Sequence, residues 1–169
     1  SVLRAEILTG HIRDTSGGMW MVLIEDKAQK DKKHEEKHMF FEKMGIEIIR
    51  YPLPVADYIK ANSKVIEMIE RKKRRGIEVK KIDFMGTYDV CVDTKFSIQE
   101  IISDICGKQH DRFRDECVLA KNAGITLYIL VENTDGVLKL DDLDRWENPR
   151  AKMKRWIKEA NGSRKQVFV

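Results

Sequence analysis

The chain has no apolar run approaching the ~20 residues of a membrane-crossing helix, and no signal peptide is visible. Neither a membrane protein nor a secreted one is expected; the reading is cytoplasmic. Cysteine is scarce, with only Cys91, Cys106 and Cys117. None makes a Cys-x-x-Cys pair, and the odd count argues against a disulfide framework. All three lie in apolar patterns, so buried thiols in a reducing compartment are expected. There is no internal repeat and no low-complexity segment, which leaves no repeat array to explain.

Charge is what the chain has in quantity. Of 169 residues, 36% are Asp, Glu, Lys or Arg and 42% are hydrophobic, with a net charge of +4. This length predicts one domain with a core large enough to fold unaided. Arg71-Lys72-Lys73-Arg74-Arg75 is the densest basic run. It reads either as solvated surface or as a contact to nucleic-acid phosphates.

Hydrophobic periodicity gives an α/β order. Met19 to Ile24 is a short apolar run that predicts a buried strand, ending at Glu25-Asp26. Lys30 to Met44 predicts a helix, with His38, Phe41 and Met44 at helical spacing and Gly45 as the stop. Ile46 to Tyr51 predicts a second strand. Pro52 and Pro54 then bracket an extended segment leading into Val55 to Ile59, which carries Asp57. Residues 60–87 read as two strands joined by the basic run. Tyr88 to Lys95 is a strand, and Ile98, Ile101, Ile102 and Ile105 mark the helix after it. A second helix runs from about Gln109 to Ala123, and Ile125 to Val131 predicts a buried strand. Asp141 to Trp146 and Ala151 to Glu159 predict tail helices, and Gln166 to Val169 a terminal strand. The sum is a mixed β-sheet flanked by α-helices. It divides into an N-terminal extension (1–18), a main domain (19–135) with a basic insertion (60–87), and a helical tail (136–169).

Three stretches fit a written chemical motif. His34-Glu35-Glu36-Lys37-His38 fits the zinc-protease H-E-x-x-H pattern. Its neighbours Asp31, Lys32, Lys33, Glu36 and Lys37 instead predict a charged amphipathic helix face. Glu70-Arg71-Lys72 is a literal E-R-K, but no strand-to-helix context surrounds it. Asp93-Thr94-Lys95 ends an apolar strand and a helix follows at once. Strand alternation puts Cys91, Asp93 and Lys95 on one face and Val90 and Val92 on the other. With Asp57 upstream and Glu100 in the next helix, this matches the P-D…(D/E)-x-K arrangement of metal-dependent nucleases.

On these residues the chain resembles the XPF-type (excision-repair) nuclease domain of the restriction-endonuclease-like superfamily, closest to its stand-alone phage and prophage branch. Leu23-Ile24-Glu25-Asp26 resembles the family's first acidic strand. Leu53-Pro54-Val55-Ala56-Asp57-Tyr58 resembles its Leu-Pro-Val-Gly-Asp-Tyr segment, with alanine for glycine. Val92-Asp93-Thr94-Lys95, followed by Ser97-Ile98-Gln99-Glu100-Ile101, resembles the catalytic triplet and its helix. His110 to Glu116 matches a His-x-Arg-Phe-Arg-x-Glu helix. Leu127 to Asn133 and Trp146 to Arg150 extend the likeness, which covers roughly residues 20–150. Ala28 and Gln99 stand where the family has an arginine and an acid.

The resemblance implies a restriction-endonuclease-like fold and a metal-dependent DNA endonuclease with structural rather than sequence specificity. Asp57 and Asp93 would hold Mg²⁺ or Mn²⁺, hard cations suited to carboxylate oxygen. The Thr94 carbonyl is a further expected ligand, with Glu25 or Asp26 binding through water or completing a second site. Lys95 would orient or help deprotonate the attacking water, and Glu100 would position Lys95 or reach the metal through water. His110, Arg112 and Arg114 would grip a phosphate, with an Arg112–Glu116 ion pair as the other reading. Arg71, Lys72, Lys73, Arg74 and Arg75 would contact the DNA backbone. The expected partner is branched, flapped or single-stranded DNA. XPF-type domains commonly dimerise, and the last strand and the tail are the surfaces available for a homodimer. The competing expectation is a nuclease-fold protein that binds DNA or a host protein without cutting.

Overall fold

A computed structural model describes residues 6–8, 11–13, 19–29, 31–148 and 154–168. In chain order these form β1 (Glu6–Leu8), β2 (His11–Arg13), β3 (Met19–Asp26), α1 (Asp31–Lys43), β4 (Ile46–Tyr51), β5 (Tyr58–Lys60) and α2 (Ser63–Arg74). A 3₁₀ turn (Lys81–Phe84) leads to β6 (Val90–Lys95), α3 (Ile98–Cys106), α4 (His110–Asn122), β7 (Thr126–Val131), α5 (Leu140–Leu143), β8 (Lys154–Lys158) and β9 (Arg164–Phe168).

The core of the fold is a five-stranded mixed sheet, β4-β3-β5-β6-β7. β3 runs parallel to β4 and β6 parallel to β7. β5 joins the two halves, antiparallel to both β3 and β6. Parallel neighbours need a crossover, and α1 supplies one while α3 and α4 supply the other. The β1–β2 hairpin extends the sheet along Met19 to Met21, and β5 takes Leu23 to Glu25 of the same strand. The α/β class and the mixed sheet agree with the periodicity of the sequence. Among the described residues no helix is long and apolar enough to cross a membrane.

The core gathers Val22 and Ile24 of β3, Ile59 of β5 and Cys91 of β6 with Leu53, Val55 and Phe84. Each large side chain buried there contributes about 1.5–3 kcal/mol. Residues 60–87 belong to this core, and the two strands expected there do not form. Val65, Met68 and Ile69 recur at helical spacing and are buried on one face of α2. Asn62 caps that helix, its side chain accepting from the Val65 N–H at 2.9 Å. Val79 and Phe84 plug the core from the following segment. The basic run thus occupies the last turn of α2 and its end, where cations offset the partial negative charge of the carbonyls.

Three further expectations are corrected. On α1, His38 and Phe41 are half-buried as their spacing predicts, but Met44, just past the helix end, is exposed, and His34 is the buried position. β7 is an outer strand of the sheet, with Tyr128 58% and Leu130 52% exposed, so the strand forms but is not buried as expected. Cys106 is exposed and Cys117 half-buried, although all three thiols are free.

The tail is not a pair of helices. Among the described residues only the four of α5 are helical there, and Lys154 to Lys158 is a strand paired antiparallel with Arg164 to Phe168. Asn161-Gly162 lies in the connecting turn, with Gly162 at φ +87°. That dipeptide is a strong hairpin signal. Part of the expected 151–159 helix, residues 151–153, and Val169 of the expected terminal strand lie outside the described residues.

Candidate active site

β6 delivers the chemistry. Its alternation turns Cys91, Asp93 and Lys95 inward, and all three are buried, as the period-2 pattern predicts. The Lys95 Nζ lies 2.7 Å from Asp93 Oδ2 and 2.7 Å from Asp104 Oδ2. These are close ion pairs, although neither carboxylate oxygen receives a well-directed hydrogen bond. The ammonium also sits 5.1 Å from the Phe113 ring centroid, a cation–π distance. Burial would lower the lysine pKa, but the two carboxylates outweigh it and the net shift is upward. Lys95 is therefore a fixed cation.

Asp104 is the residue that sequence reasoning missed. It lies on α3 and is 2% exposed. The expectation had Glu100 positioning Lys95, and that is corrected. Glu100 Oε2 accepts from the Phe96 N–H at 2.7 Å, while Ser97 Oγ accepts from the Glu100 N–H at 3.2 Å. Ser97 and Glu100 thus close the helix start at the spacing of a capping box. The missed signal was an acid three residues after Ile101, on the apolar stripe. A carboxylate there needs a buried cation.

Asp57 reaches the same place from the start of β5. Its Oδ2 accepts from the Thr94 N–H at 2.9 Å and from Thr94 Oγ1 at 2.6 Å, and Gln29 Nε2 donates to its Oδ1. The Asp57 backbone is clipped on both sides, its N–H to the Val92 carbonyl at 3.1 Å and its carbonyl to the Asp26 N–H at 2.7 Å. Ala56, just before it, has φ +64°, the only positive φ among the described non-glycine residues. The Ala56 N–H donates to Glu116 Oε1 at 2.7 Å. Glu116 from α4 therefore holds this left-handed turn and is not paired with Arg112.

Glu25 and Asp26 point to opposite faces of β3. Glu25 is 0% exposed and accepts from Tyr58 Oη at 2.6 Å, His38 Nε2 at 2.8 Å and Arg50 Nε at 2.6 Å. Burial alone would raise its pKa, but these three donors win and hold it below the usual carboxylate range. Glu25 does not line the cleft, so its expected ligand role is corrected. Asp26 does line it, and its Oδ1 accepts from the Leu53 N–H at 3.1 Å. The H-E-x-x-H histidines also face inward, contrary to the expected solvated helix face. His38 is bound to Glu25, and His34 Nδ1 stands 3.4 Å from Tyr58 Oη, with burial lowering the pKa of its ring.

Asp57, Asp93, Thr94 and Lys95 open onto one cleft of about 540 Å³. Seven carboxylates line it against three cations, Lys81, Lys95 and Arg112, an excess of four negative charges. Burial pushes the Asp93 carboxyl up to about 6, with Asp57 and Glu116 adding to the rise and Lys95 opposing it. A cavity so charged repels a bare phosphate and favours a cation.

The expected DNA contacts divide. Arg112 lines the cleft and makes no ion pair among the described residues. Arg114 is exposed and paired with Asp111 at 3.2 Å and Asp115 at 3.1 Å. His110 Nδ1 donates to the Ile105 carbonyl at 2.6 Å, tying α4 to the end of α3. On α2, Lys72 Nζ is 2.6 Å from Asp83, whereas Arg71, Lys73, Arg74 and Arg75 are exposed and outside the cleft lining. No family model matches the chain, and no curated protein or solved structure matches it either.

Proposed function

We propose that the chain is a divalent-metal-dependent endonuclease that hydrolyses phosphodiester bonds in DNA, selecting by structure rather than sequence. One observation carries the reading: two carboxylates, Asp57 just before β5 and Asp93 on β6, meet around Thr94 in a cleft that also presents the Lys95 ammonium. It is the arrangement that the XPF-type resemblance implies, reached through side-chain geometry.

The residues present fit Mg²⁺ or Mn²⁺. Asp93 Oδ2 is held at 2.7 Å by the Lys95 ammonium, and its Oδ1 accepts no hydrogen bond among the described residues. Asp57 Oδ2 is filled by its two bonds from Thr94, while Oδ1, with one bond from Gln29, keeps a lone pair for a metal. The Lys95 carbonyl accepts from Glu132 across the β7 edge, so the Thr94 carbonyl one residue earlier faces the Asp57 edge. Among the described residues no three His, Cys, Asp or Glu side chains form a ready cage. Two carboxylates with a carbonyl, completed by water, make a hard-oxygen site of the kind magnesium takes. When bound, such an ion acidifies a water and neutralises charge on the phosphate.

The chain's own residues supply the rest. Thr94 and Gln29 fix the Asp57 carboxylate. Asp104 anchors Lys95, leaving its charge to face the cleft as a donor to a phosphate oxygen or to the attacking water. Because Lys95 stays protonated, its role is to orient and stabilise rather than to take the proton. Arg112 provides a cation for a neighbouring phosphate. Free thiols suit a reducing cytoplasm.

The test is cleavage of branched, flapped and single-stranded DNA with and without Mg²⁺. The intact chain should cut one of these only with the metal, and Lys95→Ala should cut at least about 100-fold more slowly. Cleavage unchanged in Lys95→Ala would overturn the reading.

A further inference from the structure

We propose that the β8–β9 hairpin is a docking surface for an unpaired nucleic-acid strand. Its purpose, feeding substrate to the cleft, rests on the nuclease reading; its binding chemistry does not.

The register sets Trp156 opposite Gln166 and Lys158 opposite Arg164. Strand alternation puts all four on one face of the ribbon. Trp156 is 61% exposed, and Lys158, Arg164 and Gln166 are exposed beside it. An indole so open gains little from burial and stabilises the fold little. Lys158 and Arg164 are like charges directly opposite one another, a pairing that costs stability. Neither has a carboxylate partner among the described residues. The turn's carboxylate, Glu159, accepts from Ser163 Oγ at 2.5 Å. Both costs are offset if an anion bridges the cations while a flat apolar group covers the ring.

The charge of the whole chain singles out the same element. Residues 154–168 carry five Lys or Arg and one Glu, an excess of four, equal to the +4 of all 169 residues. The rest of the sequence is therefore balanced. The complement of this ribbon is a polyanion with exposed planar faces. A single strand offers both, with bases for Trp156 and phosphates for Lys158 and Arg164. A duplex hides its base faces, and an acidic polypeptide has no regular series of planar groups.

Binding is measured by fluorescence anisotropy on the full chain in EDTA, which stops metal-dependent cleavage. The probes are a labelled oligo(dT), a duplex of the same length, and heparin as a polyanion without bases. Trp156→Ala should weaken oligo(dT) binding roughly 5- to 150-fold while Trp156→Phe keeps most of it, and duplex affinity should move less than about twofold. The Lys158→Ser/Arg164→Ser double variant should flatten the salt dependence of oligo(dT) binding by about 1.4 in log–log slope. Unchanged oligo(dT) affinity in both variants would overturn the proposal. So would Trp156→Ala weakening duplex or heparin as much as oligo(dT), the result expected of a general polyanion or acidic-protein surface. Failure here leaves Lys95-dependent cleavage standing, and absence of cleavage leaves this binding result standing.

Discussion

Ala56 and Asp93 show what single residues contribute. A left-handed alanine costs about 1–2 kcal/mol, and glycine adds about 0.4–1 kcal/mol of unfolded-chain entropy. Ala56→Gly should therefore stabilise the protein by about 0.5–1 kcal/mol in urea unfolding, with the Asp57 geometry kept. Asp93 works in the opposite direction at neutral pH. Its folded pKa, about 6, lies above the ordinary 3.8, so the native state holds its proton more tightly than the unfolded chain does. Its contribution is favourable at low pH and is lost as pH rises from about 4 to about 6. Asp93→Asn should remove that decline, matching the wild type near the low end and exceeding it by about 1–3 kcal/mol near neutrality. Thermal unfolding across that range checks the sign. Asp93 and Lys95 were legible because strand alternation fixes which side chains share a face, and Asp57 because it stands upstream in the P-D…(D/E)-x-K pattern. Asp104 was not, because its partner lies on another element and only the apolar stripe around it signals burial.

Short elements were the least legible. The expected pair of strands in 60–87 rested on local alternation in Ile77 to Ile82, yet Val65, Met68 and Ile69 also fit a helix and packing settled the matter. The N-cap was available as a signal: Asn62 stands three residues before Val65 and also donates to the Thr87 carbonyl at 2.8 Å. Asn62→Ala should cost about 1–2 kcal/mol in denaturant unfolding; a loss of a few tenths would mean the cap is replaceable by water. In the tail, the Trp156-Ile157 pair gave apolar bulk to either period. The decisive mark was the Asn161-Gly162 turn, which joins the expected terminal strand, observed as β9, to β8, which stands in place of the expected helix.

At the scale of the molecule, charge is sorted in space. The cleft holds an excess of four carboxylates, and the hairpin holds an equal excess of cations. A polyanion is attracted at one place and repelled at the other unless a divalent ion neutralises the cleft. The fold class was readable from the order of elements, since two parallel pairs bridged by helices leave few topologies. The site's division among β3, β5, β6, α3 and α4 was only half readable, since it depends on contacts across long sequence separations.

The central claim is that Asp57 and Asp93 make this cleft a metal-dependent nuclease site, and the most direct measurement is single-turnover cleavage by Asp93→Asn beside the wild type, in Mg²⁺ near neutral pH. The substitution keeps the shape and removes the buried charge, so the variant should be at least as stable as the wild type and cut at least about 100-fold more slowly. A folded Asp93→Asn variant that cuts at the wild-type rate would contradict the account.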